Sequence, residues 1–253
     1  FVFARDITVR KKQEEDLYRR DYQLEILSRT SQHINAVLEV QIILRTLIAA
    51  AIELVDATAG MAGLSTGDMI SFKEYNKDGK SSPIDYEVRS GDGTCGCMLK
   101  APKTYICNDA ATDKNVIPGM REKFGIRNFI DVPILNREGH LLGCLEIHNK
   151  RDGQPFDAQD VFMLQGLVAG AAVALENANS LAQRDKAEKA LVWQKNYYET
   201  LIDDANVWME AIDKQGRVLL WNKKAEAVSG RKKTEIIGGL KRWTFLYPDP
   251  AVR

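Results

Sequence analysis

The residues best suited to chemistry in this 253-residue chain are its four cysteines: Cys95 and Cys97, separated by a single glycine, then Cys107 and Cys144. A thiolate is both a strong nucleophile and a soft metal ligand. Two thiols so close in sequence suggest either reversible oxidation or metal binding. Zinc is disfavoured, because Cys95-Gly96-Cys97 offers at most two close ligands and no second such pair follows. Haem would need an axial ligand such as His or Cys, and the only histidines are His33, His140 and His148. His33 reads as an ordinary helical residue; His140 follows a turn and His148 ends a strand, so both of these are expected at the solvent edge. Cys95 and Cys97 remain either small buried apolar side chains or a redox-sensing pair. No catalytic residue is assigned.

The elements that would position these groups follow from periodicity. Leu44, Leu47, Ile48, Ala51, Ile52 and Val55 recur at helical spacing and form one apolar stripe. Upstream, Leu17, Leu24, Leu27, Ile34 and Leu38 thread a three-four pattern interrupted by Arg20 and Ser31. That pattern fits a parallel dimer contact or a solvated connecting helix. Short apolar runs at 61–64, 69–72, 105–107, 129–135 and 141–147 are separated by Gly, Asp, Asn and Ser, as strands are. The last two make a hairpin around Asn136-Arg137-Glu138-Gly139, with Ile130, Val132 and Ile134 on one face and Leu141, Gly143, Leu145 and Ile147 on one face of the partner. Residues 113–125 read as a covering loop with a short helix. Helix returns after Phe156, with Val161, Leu164, Val168, Ala171, Ala172 and Leu175 facing the core, and runs on through a charged stretch to Leu201. A second hairpin is expected from Val207 to Trp221 across Asp213-Lys214-Gln215-Gly216, with the tryptophans 193, 208, 221 and 243 as core and interface aromatics. The implied class is α+β, a mainly antiparallel sheet with helices on one side.

Composition narrows the partners. Lys+Arg 35 against Asp+Glu 35 leaves no net charge, which favours neither nucleic acid nor an anionic membrane. No apolar run is long enough to span a bilayer and no signal peptide is visible, so a cytoplasmic setting without direct membrane contact is expected. The cysteines are too few and too clustered for a secreted disulfide framework, and are read as reduced.

Several sequence words resemble those of the GAF domain family: Gly91-Asp92-Gly93-Thr94-Cys95-Gly96, Tyr105-Ile106-Cys107-Asn108-Asp109, Asp131-Val132-Pro133-Ile134, Gly143-Cys144-Leu145-Glu146-Ile147 and Phe156-Asp157-Ala158-Gln159-Asp160, in the family's order over residues 24–180. The segment from 201 to 253 resembles the beginning of a PAS domain, through Ala211-Ile212-Asp213, Gly216-Arg217-Val218, Trp221-Asn222 and Ser229-Gly230. There Asn222 is placed to cap a helix and Gly230 to end it. Residues 1–12 look like the last strand and exit of another PAS domain, with 13–23 and 181–200 as connecting helices. On this resemblance the chain starts in one sensory module and stops inside another, with folding partners beyond both ends.

The resemblance implies sensing and relay along dimeric helices, most often toward a sensor histidine kinase. No phosphoacceptor motif surrounds His33, and Gly238-Gly239-Leu240-Lys241 is unlike a diguanylate cyclase. Asn149-Lys150, Phe156 and Asp160 follow a spacing found in cyclic-nucleotide-binding relatives, although Val161 replaces the motif's final acid. Physically, Lys150 and Asp160 can tie the last strand to the last helix without touching a ligand. Free methionine-R-sulfoxide reductases share Cys95, but their catalytic thiol belongs to a loop that here, over 113–128, holds no Cys. Bilin attachment is disfavoured, since neither Cys107 nor Cys144 precedes a His. The expectation is a noncatalytic sensor segment with an unidentified small-molecule ligand; a thiol redox sensor and a cyclic nucleotide sensor are the alternatives.

Overall fold

A computed structural model describes residues 11, 13, 17, 18, 20–30, 34, 38–117 and 119–238. Residues 1–10 and 12 of the expected domain tail at 1–12, His33 and Trp243 lie outside the described residues. The chain divides into two compact units, Phe1–Ala182 and Gln183–Arg253.

The first unit is built on a six-stranded antiparallel sheet of order β3-β2-β1-β6-β5-β4. Its strands are β1 (Ala57–Thr66), β2 (Met69–Lys77), β3 (Lys80–Arg89), β4 (Tyr105–Cys107), β5 (Phe129–Leu135) and β6 (Leu141–Lys150). A helical segment over residues 20–30 (α1) precedes α2 (Val40–Leu54); α5 (Ala158–Asp204) follows the sheet. Helical spacing of Leu44, Leu47, Ile48 and Ala51 on α2, and of Leu164, Val168, Ala171 and Leu175 on α5, drives both helices onto one face of the sheet. There they meet Ile130, Val132 and Ile134 from β5 and Leu145 and Ile147 from β6. Burial of each Leu, Ile or Val among them contributes about 1.5–3 kcal/mol.

A second apolar core lies on the opposite face, under α3 (Gly93–Met98), α4 (Met120–Phe124) and the loops around them. The long helices thus occupy one side, as the sequence suggests, while two short helices roof the other. Neither α3 nor β3 is legible in sequence. Two of the six residues of α3 are glycine, and β3 begins with the exposed Lys80-Ser81-Ser82-Pro83; only its second half alternates, with Ile84, Tyr86 and Val88 on the second core. The opposite border, β4, is three residues long.

One facial assignment needs correction. Leu145 and Ile147 face the long helices, but Leu141 packs on the second core. The ladder slips between Ile134↔Gly143 and Leu135↔Leu141, and the extra residue reverses the side-chain alternation. Pairing of β6 with β1 requires glycine at 143, since a Cβ there would run into the Gly63 carbonyl.

α5 contains an apolar 18-residue window long enough to cross a membrane, contrary to the sequence survey. Half of that window is buried, with Leu164, Leu167, Val168, Ala171 and Leu175 against the sheet, as in the core helix of a soluble fold.

The second unit holds a hairpin of β7 (Glu210–Ile212) and β8 (Val218–Trp221), then α6 (Lys223–Ser229) and α7 (Lys233–Ile236). Buried Asn222 organises it: Oδ1 accepts from the backbone N–H of Ala225 and Met209, both at 3.0 Å, while Nδ2 donates to the carbonyls of Ile202 and Val207, both at 2.9 Å. Gly230 closes α6 in the left-handed region. Trp221 is buried and meets Trp208 edge-on at 4.9 Å between ring centroids.

Candidate functional site

Alternation along β5 and β6 produces an unusual interior. With Leu145 and Ile147 committed to the helix side, Cys144, Glu146 and His148 must all point to the roofed side; likewise Asp131 lies opposite the face formed by Ile130 and Val132. Asp131 stands directly across from Glu146 in the ladder. Asp131 and His148 have no solvent exposure and Glu146 is 7% exposed. Three ionisable side chains therefore share a dry space, a costly arrangement unless each finds a partner.

The partners are largely local. Thr94, from α3, donates its hydroxyl to Asp131 Oδ2. His148 Nε2 contacts Glu146 Oε1, and His148 Nδ1 lies 3.4 Å from the Tyr75 hydroxyl on β2. The Cys95 thiol donates to Glu146 Oε2 at 3.3 Å, and Cys144 Sγ sits 3.2 Å from Cys95 Sγ. Asp131 Oδ1 is buried with no hydrogen-bond partner. Burial and the facing Glu146 charge push the Asp131 carboxyl well above its ordinary value. The Cys95 thiol is also driven well up, first by its hydrogen bond with Cys144 and then by burial.

Beside this cluster is a cavity of about 30 Å³ lined by Thr94, Cys95, Glu146, Tyr86, Ile117 and Phe129 among others. It is roomy enough for a water or an ion and an order of magnitude below a typical small-molecule pocket. Its lid is held by Tyr105, whose hydroxyl donates to Asp113 Oδ2 at 2.7 Å and accepts from Asn115 Nδ2 at 2.9 Å. At the far end Asn149 Oδ1 accepts the Arg127 N–H at 2.7 Å and Nδ2 donates to the Gly125 carbonyl at 2.9 Å. Larger clefts of about 660 and 760 Å³ run beside α1, with the solvated Asp152 on both.

The sequence candidates are distributed as follows. Cys95 is inside the cluster, whereas Cys97 is exposed and turned toward the Gly91 carbonyl. The sulfur next to Cys95 belongs to Cys144, not to Cys97. Lys150 Nζ and Asp160 Oδ2 are 2.6 Å apart, both buried, joining β6 to the first turn of α5. His140 is at the surface beside Glu138. His148 is not at a solvent edge: β6 lies between β1 and β5, and its roofed face is buried at Cys144, Glu146 and His148. Sequence reasoning did not assign roles to Asp131, Glu146 or His148. The available signal was the i, i+2, i+4 spacing of Cys144, Glu146 and His148, together with one acid amid the apolar Phe129–Leu135 strand.

The sheet order, the paired long helices and the roofed second face define an α+β fold of one antiparallel sheet covered on both faces. The GAF domain profile matches residues 37–176, more than half of the chain, and the chain belongs to the GAF domain family. Solved structures agree on the fold. The GAF domain of a phosphoenolpyruvate-protein phosphotransferase from Coxiella burnetii is 17% identical, with TM-score 0.53, covering 64% of this chain and 96% of that one. The corresponding domain from Acinetobacter is 16% identical, with TM-score 0.52, covering 64% and 98%. Free methionine-R-sulfoxide reductase from Neisseria meningitidis, in complex with its substrate, is 19% identical, with TM-score 0.51, covering 63% and 91%.

Proposed function

We propose that this chain is a noncatalytic sensory and relay segment of a cytoplasmic signal-transduction protein, a sensor histidine kinase by its arrangement of modules. The observation carrying this reading is the cavity with buried acids on one sheet face and α2 and α5 packed on the other. A ligand that fits one sheet conformation better than another biases the helix packing behind it, to the extent that its affinities for the two states differ. The sequence resemblance of the flanking segments to PAS domains supports a PAS, GAF, PAS order, and in the second segment Asn222 caps α6 as that resemblance implies. Self-association as a parallel dimer through the helices is part of the proposal. The apolar Leu191, Val192, Trp193, Tyr197, Tyr198 and Leu201 on α5 are all about half or more exposed. Sedimentation equilibrium tests it: a dimer at micromolar concentration that Trp193→Glu dissociates is expected, and a chain monomeric at high micromolar concentration would sink the relay. A phosphoacceptor helix and ATP-binding domain in the same polypeptide are the test of the kinase assignment.

A second reading, thiol redox sensing, draws support from the 3.2 Å Cys95–Cys144 sulfur contact. Hydrogen peroxide would take two electrons and two protons from the thiols, forming the disulfide and two waters. Peptide mapping after peroxide should then find a Cys95–Cys144 link; two free thiols would end this reading.

A further inference from the structure

We propose that Cys95, Asp131 and Glu146 form a binding site for a divalent transition-metal ion of the zinc and iron class. The Cys95 sulfur and one carboxylate oxygen each from Asp131 and Glu146 all lie within 4.8 Å of one another. A small closure brings such a set to the roughly 2.0–2.3 Å bonds these ions make with oxygen and sulfur.

The division of labour between carboxylate oxygens points the same way. Glu146 Oε1 is taken by His148 and Asp131 Oδ2 by Thr94. The remaining oxygens are Glu146 Oε2, which faces Cys95 Sγ, and Asp131 Oδ1, which is buried without a partner. Metal-bound carboxylates have this form: one oxygen oriented by a neighbour, the other presented to the ion. Two acids and a thiol in a dry interior leave excess negative charge when ionised, and a divalent cation compensates it. Neither Lys nor Arg contacts the three groups among the described hydrogen bonds and ion pairs. The single thiolate selects against magnesium and calcium, which take oxygen donors. A molecule in the 30 Å³ cavity beside them would complete a fourth position. The donors come from α3, β5 and β6, so they are far apart in sequence and do not include Cys97.

The site adjoins the cavity on which the proposed sensing rests, but its test is metal content rather than relay. Elemental analysis of the full chain purified from zinc- and iron-supplemented medium should give about one ion per chain. Titration of the chelator-stripped chain with Co²⁺ should produce a thiolate-to-cobalt charge-transfer band. Cys95→Ser should abolish the band, Asp131→Asn and Glu146→Gln should each weaken binding about 10- to 100-fold, and Cys97→Ser should leave it unchanged. Circular dichroism of the metal-free variants checks folding; if a variant unfolds, the wild-type titration decides. Metal-free protein with no cobalt band, or a band that survives Cys95→Ser, would overturn the assignment. A chain that binds metal yet stays monomeric keeps the site and loses the relay.

Discussion

At the scale of single residues, burial sets the ionisation of the roofed face. Cys107 is pushed up to about 12, first by burial and then by its hydrogen bond with Asp113; burial likewise lifts Tyr75 to about 12. In the unfolded chain the same thiol ionises near its ordinary value of 9.0. Above that pH the native state holds a proton that the unfolded state has lost. Stability from this group is therefore complete below pH 9 and declines as pH rises toward 12. Thermal unfolding followed from pH 8 to 11 should show a falling midpoint, and Cys107→Ala should flatten the alkaline slope; an unchanged slope would show that the thiol is not the group responsible. Cys95 illustrates what sequence could and could not reveal. Its Gly-Thr-Cys-Gly word was recognisable, but its working neighbours, Glu146 and Cys144, arrive from a strand about fifty residues later. Only the register of β5 on β6 puts Asp131 against Glu146.

At the scale of elements, the join between β6 and α5 rests on one ion pair and a turn. Asp157 Oδ1 accepts the N–H groups of Gln159 and Asp160, and Asp160 Oδ2 takes both Lys150 Nζ and the Asp157 N–H. Asp160→Ala leaves a buried ammonium without its counter-charge and should cost about 3–5 kcal/mol in urea unfolding. Replacing both partners, Lys150→Met with Asp160→Leu, should recover much of that loss. A loss below about 1 kcal/mol for Asp160→Ala would mean that the lysine reaches water and the pair is no register device. The apolar stripes of α2 and α5 and the β5–β6 hairpin were legible because each repeats at its own period. β3 and α3 were not read: the polar start of β3 and its Pro83 obscure the short alternation of Ile84, Tyr86 and Val88, and a helix with two glycines carries little local preference and forms against the roof.

At the scale of the molecule, the sheet is a partition with an apolar layer on either side: one of helices, the other of loops enclosing acids and sulfur. The alternation that fills the first layer also dictates what enters the second, so a substitution on β5 or β6 acts on one layer without altering the composition of the other. The borders of this partition carry a further consequence. One ends in three residues of β4, too brief to template a neighbour, and the other in β3, where Pro83 breaks the row of backbone donors and the charged Lys80 discourages an incoming strand. Main-chain zippering between copies is disfavoured at both margins, which works against fibrillar growth.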